Sequence, residues 1–443
     1  MAYVAPIYKK GEHYKASNYR PISLTSIPCK ILEHIIVSEI MKHWEENNTL
    51  TSSQHGFRAN HSCESQLLEL TDEITKNLDK GVQTDIVVLD FAKAFDKVNH
   101  CLLIKKLECY GISGAIGRWI KDFLSNRSQA VVVDGMKSDT IPVKSGVPQG
   151  SVLGPCLFLA YINDLPDHIT SNARIVADDT AVDRRIKSLV DTVGLQKDLD
   201  SLSNWEKQWD MMFHPAKCYV LRATRARTKI EADYFLHGQK LQVVDSGPYL
   251  GVILQSDGEW SKHIQKVTAG GNRLLGFFRR NLKINSKTIK DQAYKMLLRP
   301  KLEYASTVWD PYKKDEVNAL ERIQRRAARI VSNRHRNTSS VGQMIEQLEW
   351  PSLEERRRAA RLTMLYKIQS NTVRVRCHEL QPSVSRNRRS TVANSRQLER
   401  ITCSKDYRLH AFFPRTVRQW NSLPESAVAA PSAAAFRSGV LRA

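Results

Sequence analysis

Over residues 1–254 the chain alternates short apolar runs with longer amphipathic stretches. Runs rich in Val, Ile or Leu and bounded by polar residues or Gly predict strands at TDIVVLDF (84–91), QAVVVDG (129–135), ARIVADDTAV (173–182) and KCYVLRAT (217–224). Apolar positions at helical spacing predict helices over CKILEHIIVSEIMKHWEEN (29–47), ESQLLELTDEITKNLDKG (64–81), NHCLLIKKLECYG (99–111) and VDTVGLQKDLDSLSNWEKQW (190–209). In the last of these, Leu195, Leu199, Leu202 and Trp205 recur at three- and four-residue intervals, which places them on one helix face.

From 255 to 345 the pattern is almost all helix, basic and amphipathic, in SKHIQKVTAGGNRLLGFFRRNL, SKTIKDQAYKMLLRPKLEYA and DEVNALERIQRRAARIVSN. The last hundred or so residues stay basic and turn irregular; VSRNRRSTVANSRQLER (384–400) reads as loop, and packing returns around HAFFPRTVRQWNSLP (410–424). Strands mixed with helices, then a helical module, predict an α+β fold divided at 1–254, 255–345 and 346–443.

Composition narrows the class. A hydrophobic fraction of 42% is ordinary for a globular protein. No stretch approaches the ~18–20 consecutive apolar residues that span a bilayer, and MAYVAPIYKKGEHYK lacks the apolar core of a secretory signal. A soluble, intracellular protein is expected. The net charge of +21, from 67 Lys+Arg against 46 Asp+Glu, points to a polyanion. The excess is spread along the chain rather than gathered in one amphipathic helix, which favours nucleic acid over a membrane surface. The eight cysteines form no CxxC pair and no zinc-type cluster, so free and mostly buried thiols are expected.

Three aspartates carry the candidate chemistry. Asp90 ends the run Ile86-Val87-Val88-Leu89, and Asp178-Asp179 interrupt Arg174-Ile175-Val176-Ala177 at what reads as a hairpin tip. If both strands join one sheet, Asp90 and Asp178 face each other. Like charges ~4–5 Å apart repel by a few kcal/mol at an effective dielectric of about 20. A pair of divalent cations about 3.5–4 Å apart relieves that repulsion and serves nucleotidyl transfer, and hard oxygen ligands favour Mg²⁺. An isolated Asp-Asp pair is more often a solvated turn, so the surrounding blocks decide.

Those blocks are KKGEHYKASNYRPISL (9–24), VVLDFAKAFDKVNH (87–100), SGVPQGSVLGPCLFLAYINDLP (145–166), VADDT (176–180), HPAKC (214–218) and YLGV (249–252), in that order. On them the sequence resembles the reverse transcriptases of non-LTR retrotransposons, most of all the jockey-like group, over nearly the whole chain. The resemblance implies a right-hand polymerase with fingers, palm and thumb, two Mg²⁺ ions, an RNA template, a DNA primer or target, dNTP substrates, and action in the nucleus. It implies that Asp90, Asp178 and Asp179 hold metal, joined by the backbone carbonyl of Phe91. Phe95 matches the steric gate that leaves no room for a ribose 2′-hydroxyl; without the block it reads as an ordinary core aromatic. Arg20 and Lys10, with Lys9, match triphosphate contacts, and Gln149 and Gly150 match the loop against the nascent base pair. Lys217 matches the general acid for the leaving pyrophosphate, or is a plain surface lysine. Tyr249 and Gly251 match the primer grip. Basic helices from 268 to 330, with Arg325, Arg326 and Arg329, match a thumb that holds the hybrid's backbone.

Several positions depart from the family pattern. Val176 stands where Phe is usual, Asp183 where an apolar residue is usual, and His214 where Asn is usual. Val176 is expected to keep the strand with looser packing; Asp183 is expected either to disturb the metal site or to face water. The chain opens at the triphosphate-binding block, which suggests an N-terminally truncated copy of an element with an upstream endonuclease. A catalytically impaired remnant that only binds nucleic acid is the alternative reading. A group II intron maturase or telomerase-like enzyme fits less well with the block order and with FFPRTVRQWNSLP.

Overall fold

The strand Gln83–Asp90 is buried along its length until Asp90, the mark of a sheet's centre. The computed structural model, which describes residues 1–334, 340–383 and 394–442, sets it third in a five-stranded sheet. The order is Gln242–Val244, Tyr219–Ala223, Gln83–Asp90, Asp179–Ile186, Asn172–Val176. The described residues group into two compact units: 1–62, 85–220 and 230–243 in the first, and 63–84, 221–229 and 244 onward in the second.

In the first unit, the predicted helix face is observed. Leu189–Trp209 buries Leu195, Leu199, Leu202 and Trp205, and Ser188 with Asp191 forms its capping box. Leu153–Ile162 is apolar on every side and buried except at Pro155, which reaches a cleft. Its N-terminus is capped from outside: the buried Glu33 carboxylate accepts from the backbone N–H groups of Val152 (2.6 Å) and Leu153 (2.9 Å). An anion there meets both the orphan donors and the positive end of the helix dipole. A second sheet pairs Ala2–Tyr8 antiparallel to Tyr19–Leu24 and parallel to Ser128–Val133.

The second unit is mainly helical. Cys63–Asp79, Ser261–Asn281 and Lys314–Val331 lie where helices are predicted. The segment 286–305 is not one helix. Lys287–Ala293 passes into a π-helical stretch, Tyr294–Leu298, and then Arg299–Glu303. Pro300 lacks the N–H that a regular turn needs, and a widened turn absorbs the mismatch. The last hundred residues are more regular than expected, with helices at Leu353–Gln369, Phe412–Asn421 and Ala433–Arg442. In the first of these the buried face includes Arg357 and Arg361, so its apolar period is masked. Both guanidiniums bond Asp310, at 2.6 and 2.8 Å. The expected loop at 384–400 lies outside the described residues as far as 393. Cysteine burial also differs from expectation: Cys156 and Cys218 are buried, while Cys101 and Cys109 are exposed. Among the described residues no helix is long and apolar enough to cross a membrane.

Candidate active site

The acid pair sits where a hairpin must turn. Val176 pairs with Asp179, so Ala177 and Asp178 alone form the turn. Ala177 takes φ +53°, a left-handed conformation that favours glycine in such two-residue turns; an alanine there stores strain of about 1 kcal/mol or more. The segment beneath the turn holds it in place. The Gln54 side-chain oxygen accepts from the N–H groups of Ala177 (3.2 Å) and Gly56 (2.7 Å), while His55 N–H donates to the Ile175 carbonyl (2.8 Å). A Cβ on Gly56 would lie 2.5 Å from the Ala177 nitrogen, so only glycine fits. Sequence reasoning missed Gln54 and Gly56; a buried glutamine beside a glycine carries no periodic signal.

Asp90 arrives on the neighbouring strand of the same sheet. Its backbone carbonyl accepts from His214 N–H (2.8 Å), and Lys217 closes a short turn on His214. That turn brings the Lys217 ammonium to 2.6 Å from Asp90 Oδ2. Phe91, next along, is buried and stacks on Phe213 with ring centres 4.3 Å apart.

These groups open into one cleft of about 930 Å³ lined by Asp90, Phe91, Phe95, Asp178 and Lys217 together with Lys9, Arg20, Gln149 and Gly150. Lys9 reaches the cleft and Lys10 does not. Asp179, next to Asp178, does not line it. Phe95 is backed by Phe158, stacked at 4.6 Å, which fixes the ring rigidly. Gly146 and Gly150 both take positive φ; a Cβ on the first would meet Asp96 backbone at 2.8 Å, and on the second the Ser23 carbonyl at 2.7 Å. Tyr249 and Gly251 belong to the second unit, where the Tyr249 hydroxyl accepts from Gln66 (2.9 Å) and Tyr304 covers the Leu250–Gly251 turn.

The electrostatics suit a cation. Burial raises the Asp178 pKa and the Asp90 charge adds to it, against the lowering pull of its own backbone N–H, Arg20 and Lys9. Asp179 is pushed up to about 6, by burial first and then by Asp178 and Asp90. Crowded hard-oxygen donors that resist ionisation fit a divalent metal ion. Among the described residues the three aspartates do not bring three oxygens within 4.8 Å of one another, and Asp90 turns to Lys217 instead. Asp72, Cys377 and Glu379 do converge to that distance, but Arg408 pairs with both Asp72 and Glu379, and Lys76 with Glu379, so the charge there is already met.

Asp183 neither lines the cleft nor faces water. It is buried, with Arg174 Nε at 2.7 Å and Asn172 Nδ2 at 3.0 Å. Asp183→Ala should therefore lower stability by about 3 kcal/mol in urea unfolding, because it removes the carboxylate that pairs with the buried Arg174 guanidinium. An Arg174→Met/Asp183→Leu pair should recover most of that loss.

A paired-acid hairpin beside a third strand-end aspartate, over a cleft walled by cations, defines the palm of a right-hand polymerase. The chain belongs to the family described as reverse transcriptase (RNA-dependent DNA polymerase), which matches residues 7–254. It is 28% identical over 347 residues to the RNA-directed DNA polymerase from mobile element jockey of Drosophila melanogaster, covering 75% of this chain and 37% of that protein. To the probable RNA-directed DNA polymerase from transposon BS of the same fly it is 28% identical over 356 residues, covering 75% and 38%. The chain thus spans under two-fifths of the length of these relatives. Among solved structures, apo telomerase from Candida tropicalis aligns over 80% of this chain and 61% of its own, at 9% identity and a TM-score of 0.45. Reverse transcriptases use divalent metal ions, and the aspartates here are of the right chemistry to hold them.

Proposed function

We propose that this chain copies RNA into DNA, extending a DNA primer with deoxyribonucleotides, with two Mg²⁺ ions held by Asp90, Asp178, Asp179 and the Phe91 carbonyl. The observation that carries this reading is that Asp90 and Asp178, from separate stretches of chain, line one cleft with Arg20, Lys9 and Phe95. Bound metal would supply an acidified primer hydroxyl and charge balance for the departing pyrophosphate. Arg20 and Lys9 hold the triphosphate, the guanidinium by its planar fork. Lys217 Nζ delivers a proton to the leaving pyrophosphate. The Tyr249–Gly251 turn meets the primer strand through its backbone, since the tyrosine hydroxyl is already engaged. Arg325 and Arg326, exposed on Lys314–Val331, grip phosphates without reading bases.

Primer extension on an RNA template with Mg²⁺, dNTPs and NTPs offered side by side tests this. The wild-type chain should incorporate deoxyribonucleotides and largely refuse ribonucleotides. Phe95→Val should raise ribonucleotide incorporation by roughly a hundredfold relative to dNTP, because the ring no longer fills the space of a 2′-hydroxyl. Efficient ribonucleotide use by the unaltered chain would overturn the gate assignment. RNA binding with no incorporation at all would overturn the enzyme.

A further inference from the structure

Asp96 follows the gate residue Phe95, and its side chain points at the loop that faces the nucleotide. Its Oδ1 accepts from Gln149 Nε2 at 3.1 Å, in a half-buried setting. The two segments are already tied through backbone and hydroxyl groups: Val147 N–H to the Phe95 carbonyl (2.7 Å), Gly146 N–H to Val98 (2.8 Å), and Ser145 Oγ to the Asp96 carbonyl (3.0 Å). Those bonds set where the loop runs. They do not set which way round the Gln149 carboxamide lies.

An amide is nearly symmetric in shape and opposite in hydrogen-bonding sense at its two ends. An ionised carboxylate accepts only, so it selects the NH₂ end and leaves the oxygen for the other side. Gln149 also lines the cleft that holds Asp90, Phe95 and Asp178. Without its acceptor the amide is free to turn and present a donor in place of an acceptor.

We infer that Asp96 is a positioning residue: it fixes the Gln149 carboxamide with its oxygen directed at the incoming nucleotide, and so sets nucleotide affinity rather than the chemical step. This inference rests on the polymerase reading given above. Burial also raises the Asp96 pKa, against the lowering effects of Gln149 and Lys93, so the carboxylate meets its cost of burial partly through this one bond.

The test is steady-state primer extension by the full chain and four variants, together with side-chain amide NMR of glutamine-labelled protein. Asp96→Ala should raise the KM for dNTP about tenfold with kcat nearly unchanged, the size expected from one hydrogen bond to a charged group. Asp96→Asn keeps an acceptor oxygen but adds an NH₂ donor, so it selects the amide orientation weakly and its KM should fall between wild type and Asp96→Ala. In a Gln149→Ala background, Asp96→Ala should add nothing, because the two residues act as a unit. The Gln149 side-chain amide signal, assigned by its loss in Gln149→Ala, should shift most in Asp96→Ala and less in Asp96→Asn. Equal KM values in wild type and Asp96→Ala, or additive losses in the double variant, overturn the inference while leaving the polymerase reading intact. If no protein extends a primer, the polymerase reading fails, and an amide signal indifferent to Asp96 then sinks the positioning role independently.

Discussion

Asp178→Ala should lower nucleotide incorporation by roughly a thousandfold or more, a barrier increase of about 4 kcal/mol, while melting no earlier than the wild-type chain. The activity loss follows from the proposal that Asp178, which lines the cleft, is one of the carboxylates that hold metal. The stability half follows from the same environment. Burial and the Asp90 charge both oppose ionisation of Asp178, so its carboxylate is a burden on the folded state. Alanine at the second turn position keeps the two-residue hairpin and the Gln54 contact to Ala177, which is a backbone one. Active sites that store electrostatic repulsion commonly show this opposition of activity and stability. Single-nucleotide incorporation and a thermal melt on one preparation decide it; a variant that melts well below wild type would mean that Asp178 is a structural residue.

Asp310→Ala should cost about 3–5 kcal/mol of folding stability, the largest such effect expected in the second unit. Asp310 accepts from Arg357 and Arg361 and lies 3.2 Å from the Arg415 guanidinium, with Arg357 and Arg361 almost wholly buried. Arg357 already has two guanidinium nitrogens with no hydrogen-bond partner among the described residues, so its hydrogen bonding there rests on the Nε bond to Asp310. Burial drives the Arg361 pKa down to about 10 even with Asp310 beside it, which shows how strongly that site resists an unpaired charge. Urea unfolding followed by tryptophan fluorescence checks the value, and Asp310→Asn should fall between wild type and alanine. A loss below 1 kcal/mol would mean that water reaches the cluster.

What could be read from the sequence divides along physical lines. Leu195, Leu199, Leu202 and Trp205 were legible because burial and helical spacing coincide. The strand ending at Asp90 was legible because its apolar run is continuous. Leu353–Gln369 was not, since charged residues occupy part of its buried face and a period test cannot see the acid that neutralises them. Asp183 misled for the same reason: its partner Arg174 lies across a hairpin, where only pairing register shows that they meet. The cleft residues were identified through their blocks. Their surroundings, including the Gln54 support and the Asp96–Gln149 bond, were not legible, because each joins segments far apart in the chain.

The loop 145–150 is fastened by main-chain atoms: Val147 to Phe95, Gly146 to Val98, and Ser23 N–H to the Gln149 carbonyl at 2.7 Å. Main-chain bonds survive nearly any change of side chain. Side-chain changes along this loop therefore leave its course intact, except at Gly146 and Gly150, where the first added carbon collides with a neighbouring backbone. Those two positions are where a single substitution should displace the loop itself rather than change one side chain on it.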